Sequence, residues 1–282
     1  MSAFDAVVGQ IAKAAEKNNA VREGDYQKDG IWYCGRCHTK KQTEVVIDGK
    51  VLRPMCLCQC ARAAWNQERQ EDAEKQRMLR VTQLRTSGLE KSDTRKMTFQ
   101  SDRGLNPKQM KIAKRYVAQW DLMREEGLGL LLWGNKGTGK TFVSACIANA
   151  LIDRSVSVLM TSMVTVINSV TGRFADDRLE YLRDINLYDL LIIDDFGAEH
   201  GSDFALSQVY GVIDQRYTSG KPMIVNTNLT AKQMKNPPDI TLGRIYERIR
   251  ERCVAVEFQG DSIREKIAEQ KYRLAAKLLA GD

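Results

Sequence analysis

Leu128-Gly129-Leu130-Leu131-Leu132-Trp133-Gly134-Asn135-Lys136-Gly137-Thr138-Gly139-Lys140-Thr141 is the stretch that organises this chain. An apolar run enters a turn containing Gly134, Gly137 and Gly139, and a helix is expected to open at Thr141. That order lets backbone N–H groups turn inward around an anion, and the helix N-terminus adds a favourable dipole. Gly134, Asn135, Lys136, Gly137, Thr138, Gly139, Lys140 and Thr141 satisfy the Walker A pattern in full and are the expected cradle for ATP. Lys140 is expected to reach the β- and γ-phosphates, and Thr141 to place its hydroxyl on Mg²⁺.

Working outward, apolar runs alternate with helical stretches: Leu128 to Trp133, Val156 to Met160, Leu190 to Ile193 and Met223 to Val225. Such alternation implies an α/β fold, a parallel sheet covered by helices on both faces. Leu190-Leu191-Ile192-Ile193 runs into Asp194 and Asp195, the Walker B form, with Asp194 expected to hold Mg²⁺, mostly through water, and Asp195 to polarise the attacking water. Glu199 follows closely and is a candidate assistant. The strand at Lys221 to Asn228 ends in polar residues, and Asn228 is the candidate for touching the γ-phosphate and the water. Between Leu242 and Arg250 arginines recur at helical spacing. By themselves these arginines fit an ordinary surface helix; the alternative is an Arg with no vacancy in its own site that serves a neighbour's ATP, with Arg244 the first candidate and Arg248 the second.

Five of the seven cysteines lie within residues 34–60, so a metal site in a reducing compartment explains them better than disulfides along the whole chain. Cys34 and Cys37 form a CxxC knuckle, and Cys56, Cys58 and Cys60 offer the second half for tetrahedral Zn²⁺. The preferred set is Cys34, Cys37, Cys56 and Cys58, with Cys60 as the alternative ligand and His38 a further donor nearby. Between the halves, residues 44–52 read as a hairpin turning at Asp48-Gly49. Cys146 and Cys253 sit in apolar stretches and read as buried core residues.

Residues 3–18 carry apolar positions at helical spacing, and residues 61–86 read as a long polar helix, most simply a solvated face and alternatively a surface for a partner. Together these features divide the chain into an N-terminal zinc-binding and helical domain over 1–97 and an ATPase domain over 98–282. Net charge is +7, most of it in residues 1–97, which permits nucleic-acid or acidic-protein partners without requiring either. The first twenty residues have no uninterrupted apolar core and no run of apolar residues is long enough to span a bilayer, so a cytoplasmic protein is expected.

The Walker motifs, the run Asp194-Asp195-Phe196-Gly197-Ala198-Glu199, the Thr227-Asn228 strand end and the Leu242-Gly243-Arg244 helix together resemble the DnaC/DnaI family of replicative helicase loaders, particularly phage and prophage members with a cysteine-containing N-terminal domain. The resemblance implies an AAA+ P-loop fold and a slow, regulatory ATPase. It also implies docking on a DnaB-type helicase through the N-terminal domain, binding of single-stranded DNA and self-association in the loaded state. It places the DNA at Phe174, beside Arg173, and at Ser202 and Phe204; bases stack on aromatic rings regardless of sequence. Asp195 stands where AAA+ enzymes more often carry Glu, one methylene longer. A separate lid domain with its sensor arginine is not expected after Cys253, and the helix-prone tail from Ser262 to Leu279 has no assigned role. Competing expectations are an IstB-like transposition helper and a nucleotide-switched adaptor without catalysis.

Overall fold

A computed structural model describes residues 21–47, 49–198 and 202–280. The helix expected over 3–18 and the candidate Glu199 lie outside the described residues. The chain divides into two compact units between Met78 and Leu79.

In the first unit, β1 (Tyr26–Lys28) and β2 (Ile31–Tyr33) form an antiparallel hairpin. Its turn residues Asp29 and Gly30 both have positive φ, the geometry that matches the twist of the flanking strands. A second hairpin pairs β3 (Val45–Ile47) with β4 (Lys50–Leu52), as the Asp48-Gly49 signal predicts. Asp25 ties the unit together: its carboxylate accepts from Arg22 N and Gly35 N and pairs with buried Lys41. These donors, the Arg22 amide first, hold the Asp25 carboxyl at about 2. Helix α1 (Gln59–Gly88) then runs on across the boundary between the units.

The second unit contains a five-stranded, all-parallel sheet formed by β5 (Gly129–Gly134), β6 (Val158–Ser162), β7 (Leu190–Phe196), β8 (Met223–Thr227) and β9 (Cys253–Phe258). Their order across the sheet is β6-β7-β8-β5-β9. Successive side chains alternate between two apolar layers. Leu130, Leu190, Ile192 and Ile224 face one layer, whereas Leu131, Leu191, Ile193 and Val225 face the other. Burial on both faces is why these strands read as continuous apolar runs.

The first layer is filled by α2 (Pro107–Ala118), α3 (Trp120–Glu125) and α4 (Lys140–Asp153), the last buried nearly all round. The second layer takes α5 (Met163–Val170), α6 (Ala175–Leu187), α7 (Asp203–Thr218) and α9 (Ile240–Arg252). The short α8 (Ala231–Lys235) joins β8 to α9, and α10 (Ile263–Ala280) follows β9.

One boundary and one strand differ from the sequence expectation. Residues 79–97 belong to the second unit rather than to the N-terminal one: Leu89 is fully buried and bridges to Met160 in parallel at the β6 edge. The Asn149 amide donates to Thr94 O and Met97 O from within α4. The fifth strand, β9, escaped the pattern of apolar runs because it is an edge strand with Val254, Ala255 and Glu257 exposed. Cys146 and Cys253 are buried, as expected.

Candidate functional site

The turn after β5 needs its glycines. Gly134 has φ 135°, and a Cβ there would collide with the backbone carbonyl of Phe258 on the neighbouring strand. Gly137 has φ 76°, and a Cβ there would meet the side chain of Ser262 just before α10. The turn therefore lies between β9 and the start of α10, and Ile263 N donates to Gly137 O at 2.8 Å.

A cleft of about 700 Å³ opens over this turn, a volume that accommodates a nucleotide. The sequence-expected residues meet there. Lys140, 7% exposed, donates from Nζ to Gly134 O, Asn135 O and Asn228 Oδ1 at 2.8, 2.7 and 2.8 Å. Burial pulls its ammonium below the usual lysine value, opposed by Asp195 and Asp194 and assisted by the charge of Arg264. Thr141 Oγ1 donates to Asp194 Oδ1 at 3.0 Å, which joins the Walker A hydroxyl to the Walker B acid. Asp195 lines the cleft and is exposed, with φ 52° at an irregularity in the β7–β8 register. Positive φ in a non-glycine residue stores strain that the surrounding structure must hold.

The sequence patterns did not identify three residues here. Asn106 donates from Nδ2 to Thr138 O at 2.9 Å and braces the turn. Asn226 contacts Asp194 from β8. Arg264 lines the cleft with Ile263 and Ile267, so the tail left without a role forms one wall of the site. Arg264 and Lys140 face the same space without an intervening carboxylate bond among the described residues, an arrangement that favours a polyanion. The available signal was the helix periodicity of the tail; its placement on the turn was not encoded locally.

Arg244 is exposed on α9 and does not line the cleft of its own chain. Arg248 is engaged within the fold, bonded to Asp214 at 2.6 Å and stacked over the rings of Tyr210 and Tyr217. Of the two arginines, Arg244 is the one available to a neighbour. Phe174 is 84% exposed, so it is not a core residue, and Phe204 is 40% exposed with the Arg178 guanidinium over its ring. Ser202 caps α7, its hydroxyl accepting from Ala205 N at 3.1 Å. Asp176 and Asp177 lie in the first turn of α6 beside Phe174, while Arg173 stacks on Tyr181.

In the first unit, the thiols that gather are Cys34, Cys37, Cys58 and Cys60, all within 4.8 Å of one another. This corrects the preferred ligand set: Cys56 stands apart, its N donating to Lys41 O and its thiol directed at Lys40 O, because the backbone there is still paired across the ribbon. Two residues later the chain turns into α1 and brings Cys58 and Cys60 onto the knuckle. His38 is also outside the cluster; its positive φ completes the knuckle and its ring contacts Tyr26. Sulfurs bound tetrahedrally to zinc at about 2.3 Å stand about 3.8 Å apart. The Cys34–Cys60 and Cys58–Cys60 separations are 3.7 and 3.4 Å, so the donor set fits. Thr39 holds the Cys37 thiol down to about 5, whereas hydrogen bonding with Cys58, Cys37 and Cys34 pushes Cys60 up to about 12. As thiolates the four would repel one another at this separation unless a cation were shared among them, so the cluster fits a metal ion such as Zn²⁺.

The sheet order, the turn and the converging acid, lysine and asparagine define a P-loop ATPase domain of the AAA+ type. The chain belongs to the IstB-like ATP-binding protein family, whose model matches residues 64–271. It is 27% identical over 165 residues to the replicative helicase loader DnaC of Escherichia coli (strain K12), covering 57% of this chain and 64% of that protein. It is 26% identical over 150 residues to the replicative helicase loader DnaI of Bacillus subtilis (strain 168), covering 49% of this chain and 48% of that one. The match thus spans less than two thirds of either relative. The crystal structure of a DnaC helicase loader shares the fold with TM-score 0.51 and 18% identity, covering 60% of this chain and all of that one. Among the described residues no helix is long and apolar enough to cross a membrane.

Proposed function

We propose that the chain is an ATP-dependent loader of a DnaB-type replicative helicase, acting when DNA replication begins. The observation that carries this reading is the convergence of Lys140, Thr141, Asp194 and Asn228 on one cleft, in a chain similar to DnaC and DnaI loaders over that same region. The N-terminal unit docks on the helicase, and the ATPase unit binds single-stranded DNA with Phe174, Ser202 and Phe204. The exposure of both rings supports that placement.

Residues 134–141 hold the triphosphate of ATP. Thr141 and Asp194, already side by side, would hold Mg²⁺, which neutralises phosphate charge and orients its oxygens. Phosphate entering the cleft draws Lys140 away from Asn228 and leaves the Asn228 amide free to orient water. Asp195 then accepts a proton from that water. Arg264 adds a second cation from the same chain, and Arg244 of a neighbouring copy completes the site.

The two arginines have separable expected effects. Arg264→Ala removes a charge-assisted contact worth about 1.5–3 kcal/mol, so ATP affinity measured by calorimetry falls roughly tenfold to a hundredfold. Arg244→Ala leaves affinity within about twofold but reduces turnover in the assembled protein by roughly a thousandfold. A loss of affinity in the Arg244 variant would remove it from the interface role.

The function is tested by co-purifying the full chain with its host's replicative helicase, with and without ATP, beside a Cys34→Ser, Cys37→Ser variant. A stable complex with the parent chain, lost in the variant, supports loading with docking by the thiol-bearing unit. No complex in any nucleotide state, with ATPase activity dependent on duplex DNA and a transposase, would instead support the transposition-helper reading that the family match also favours.

A further inference from the structure

The end of β8 presents Asn226, Thr227 and Asn228 in succession, and each side chain holds a different part of the site. Thr227 Oγ1 donates to Phe196 O at 2.8 Å, beyond the irregularity that contains Asp195. Asn228 Oδ1 accepts from Lys140. Asn226 is 1% exposed, and its Nδ2 donates to Asp194 Oδ1 and to Ser144 Oγ, both at 2.8 Å.

The orientation of that amide follows from its partners. Ser144 spends its proton on Thr141 O at 3.1 Å, so it meets Asn226 with a lone pair, and the Asp194 carboxylate can only accept. Both neighbours therefore demand the NH₂ end. The consequence is that Asn226 Oδ1 lies buried with no hydrogen-bond partner. An orphaned buried acceptor is unfavourable, and the three preceding strand residues, Met223, Ile224 and Val225, are all apolar and buried. An apolar residue at 226 would avoid the orphan, but it could not hold Asp194.

We infer that Asn226 is the positioning residue of the Walker B carboxylate. Thr141 and Asn226 occupy Asp194 Oδ1 from two sides, which leaves Oδ2 without a protein donor among the described residues and open to the hydration shell of Mg²⁺. Through Ser144 the same amide ties the carboxylate to α4, the helix that begins at Lys140. Asn226 thus sets how readily the metal joins bound nucleotide, without touching the nucleotide. This rests on the nucleotide reading of the cleft, not on helicase loading.

The test is calorimetric titration of ATP into the full-length chain at a series of Mg²⁺ concentrations and in EDTA, for the parent, Asn226→Leu and Asn226→Asp, with melting temperatures alongside. In EDTA, affinity in the variants should stay within about twofold of the parent. The Mg²⁺ concentration giving half the metal-dependent gain in affinity should rise roughly tenfold, the loss of one charge-assisted hydrogen bond. Asn226→Leu removes the orphaned acceptor along with the two Nδ2 bonds, opposing effects, so its melting temperature should change little while the metal dependence still shifts. A purely structural role predicts the reverse: lowered melting with metal dependence unmoved. If Asn226→Asp does not fold, Asn226→Leu alone decides, and an unchanged metal dependence there overturns the inference. A parent chain that binds ATP with no metal dependence overturns this role for Asp194 and Asn226 together. A parent chain that binds no ATP overturns the nucleotide reading itself.

Discussion

A Cys60→Ser chain will purify without stoichiometric zinc, whereas Cys56→Ser will retain a single ion per molecule. The two residues are four apart in sequence, and counting cysteine spacing alone favours Cys56. The structure places the Cys60 thiol within 3.7 Å of Cys34 and 3.4 Å of Cys58, while Cys56 is directed at the Lys40 carbonyl. Removing one thiolate from a four-thiolate site leaves three ligands and an open position, the arrangement of a reactive rather than a structural metal. Structural zinc supplies roughly 10–16 kcal/mol to domains of this kind, far more than the short hairpins and the Asp25–Lys41 pair of this unit can replace. Elemental analysis of the purified variants reads the metal directly. Limited proteolysis should show residues 21–58 cut rapidly in Cys60→Ser and in the parent after chelation, with the ATPase unit left intact. Equal zinc content in the two variants would remove Cys60 from the ligand set.

Lys140→Ala is expected to weaken ATP binding and to slow turnover further still. In this structure all of the Lys140 ammonium contacts are to acceptors that encircle the phosphate position: two carbonyls of the turn and the Asn228 amide oxygen. Phosphate in the cleft replaces at least one of these with a fully charged acceptor. The substitution forfeits that interaction, worth about 1.5–3 kcal/mol, and leaves Asn228 Oδ1 without its donor. Affinity should fall roughly tenfold to a hundredfold, and turnover further, since the same cation neutralises charge that grows during phosphoryl transfer. Calorimetry with ATP measures the first and phosphate release the second. Near-normal affinity would mean that Arg264 and the backbone amides hold the triphosphate without Lys140.

Much of the site was legible in the chain. The eight residues from Gly134 to Thr141 impose their own geometry, because each glycine permits a backbone angle that other residues resist and the following helix begins at once. Leu190 to Ile193 and Met223 to Val225 announced themselves as strands because burial on both faces leaves no place for polar residues. Asp194, Asp195 and Asn228 were then identifiable as the polar residues at the ends of those strands. Arg244 and Arg248 were indistinguishable by spacing, and what separates them is Asp214 and the two tyrosines, which lie on another helix.

Consecutive residues were thus enough to specify the nucleotide turn, the parallel-sheet class, the hairpin over residues 44–52 and the presence of a thiol site, since each depends on local backbone geometry or on short-range periodicity. Folding alone decided that α10 closes onto the turn, that β9 extends the sheet, that residues 79–97 join the ATPase unit, and that Cys60 rather than Cys56 meets the knuckle. It also brought Asn226 to Asp194 and Arg264 to the side of Lys140. These contacts join residues far apart along the chain, and their identity depends on strand order and on the direction in which each element leaves the core.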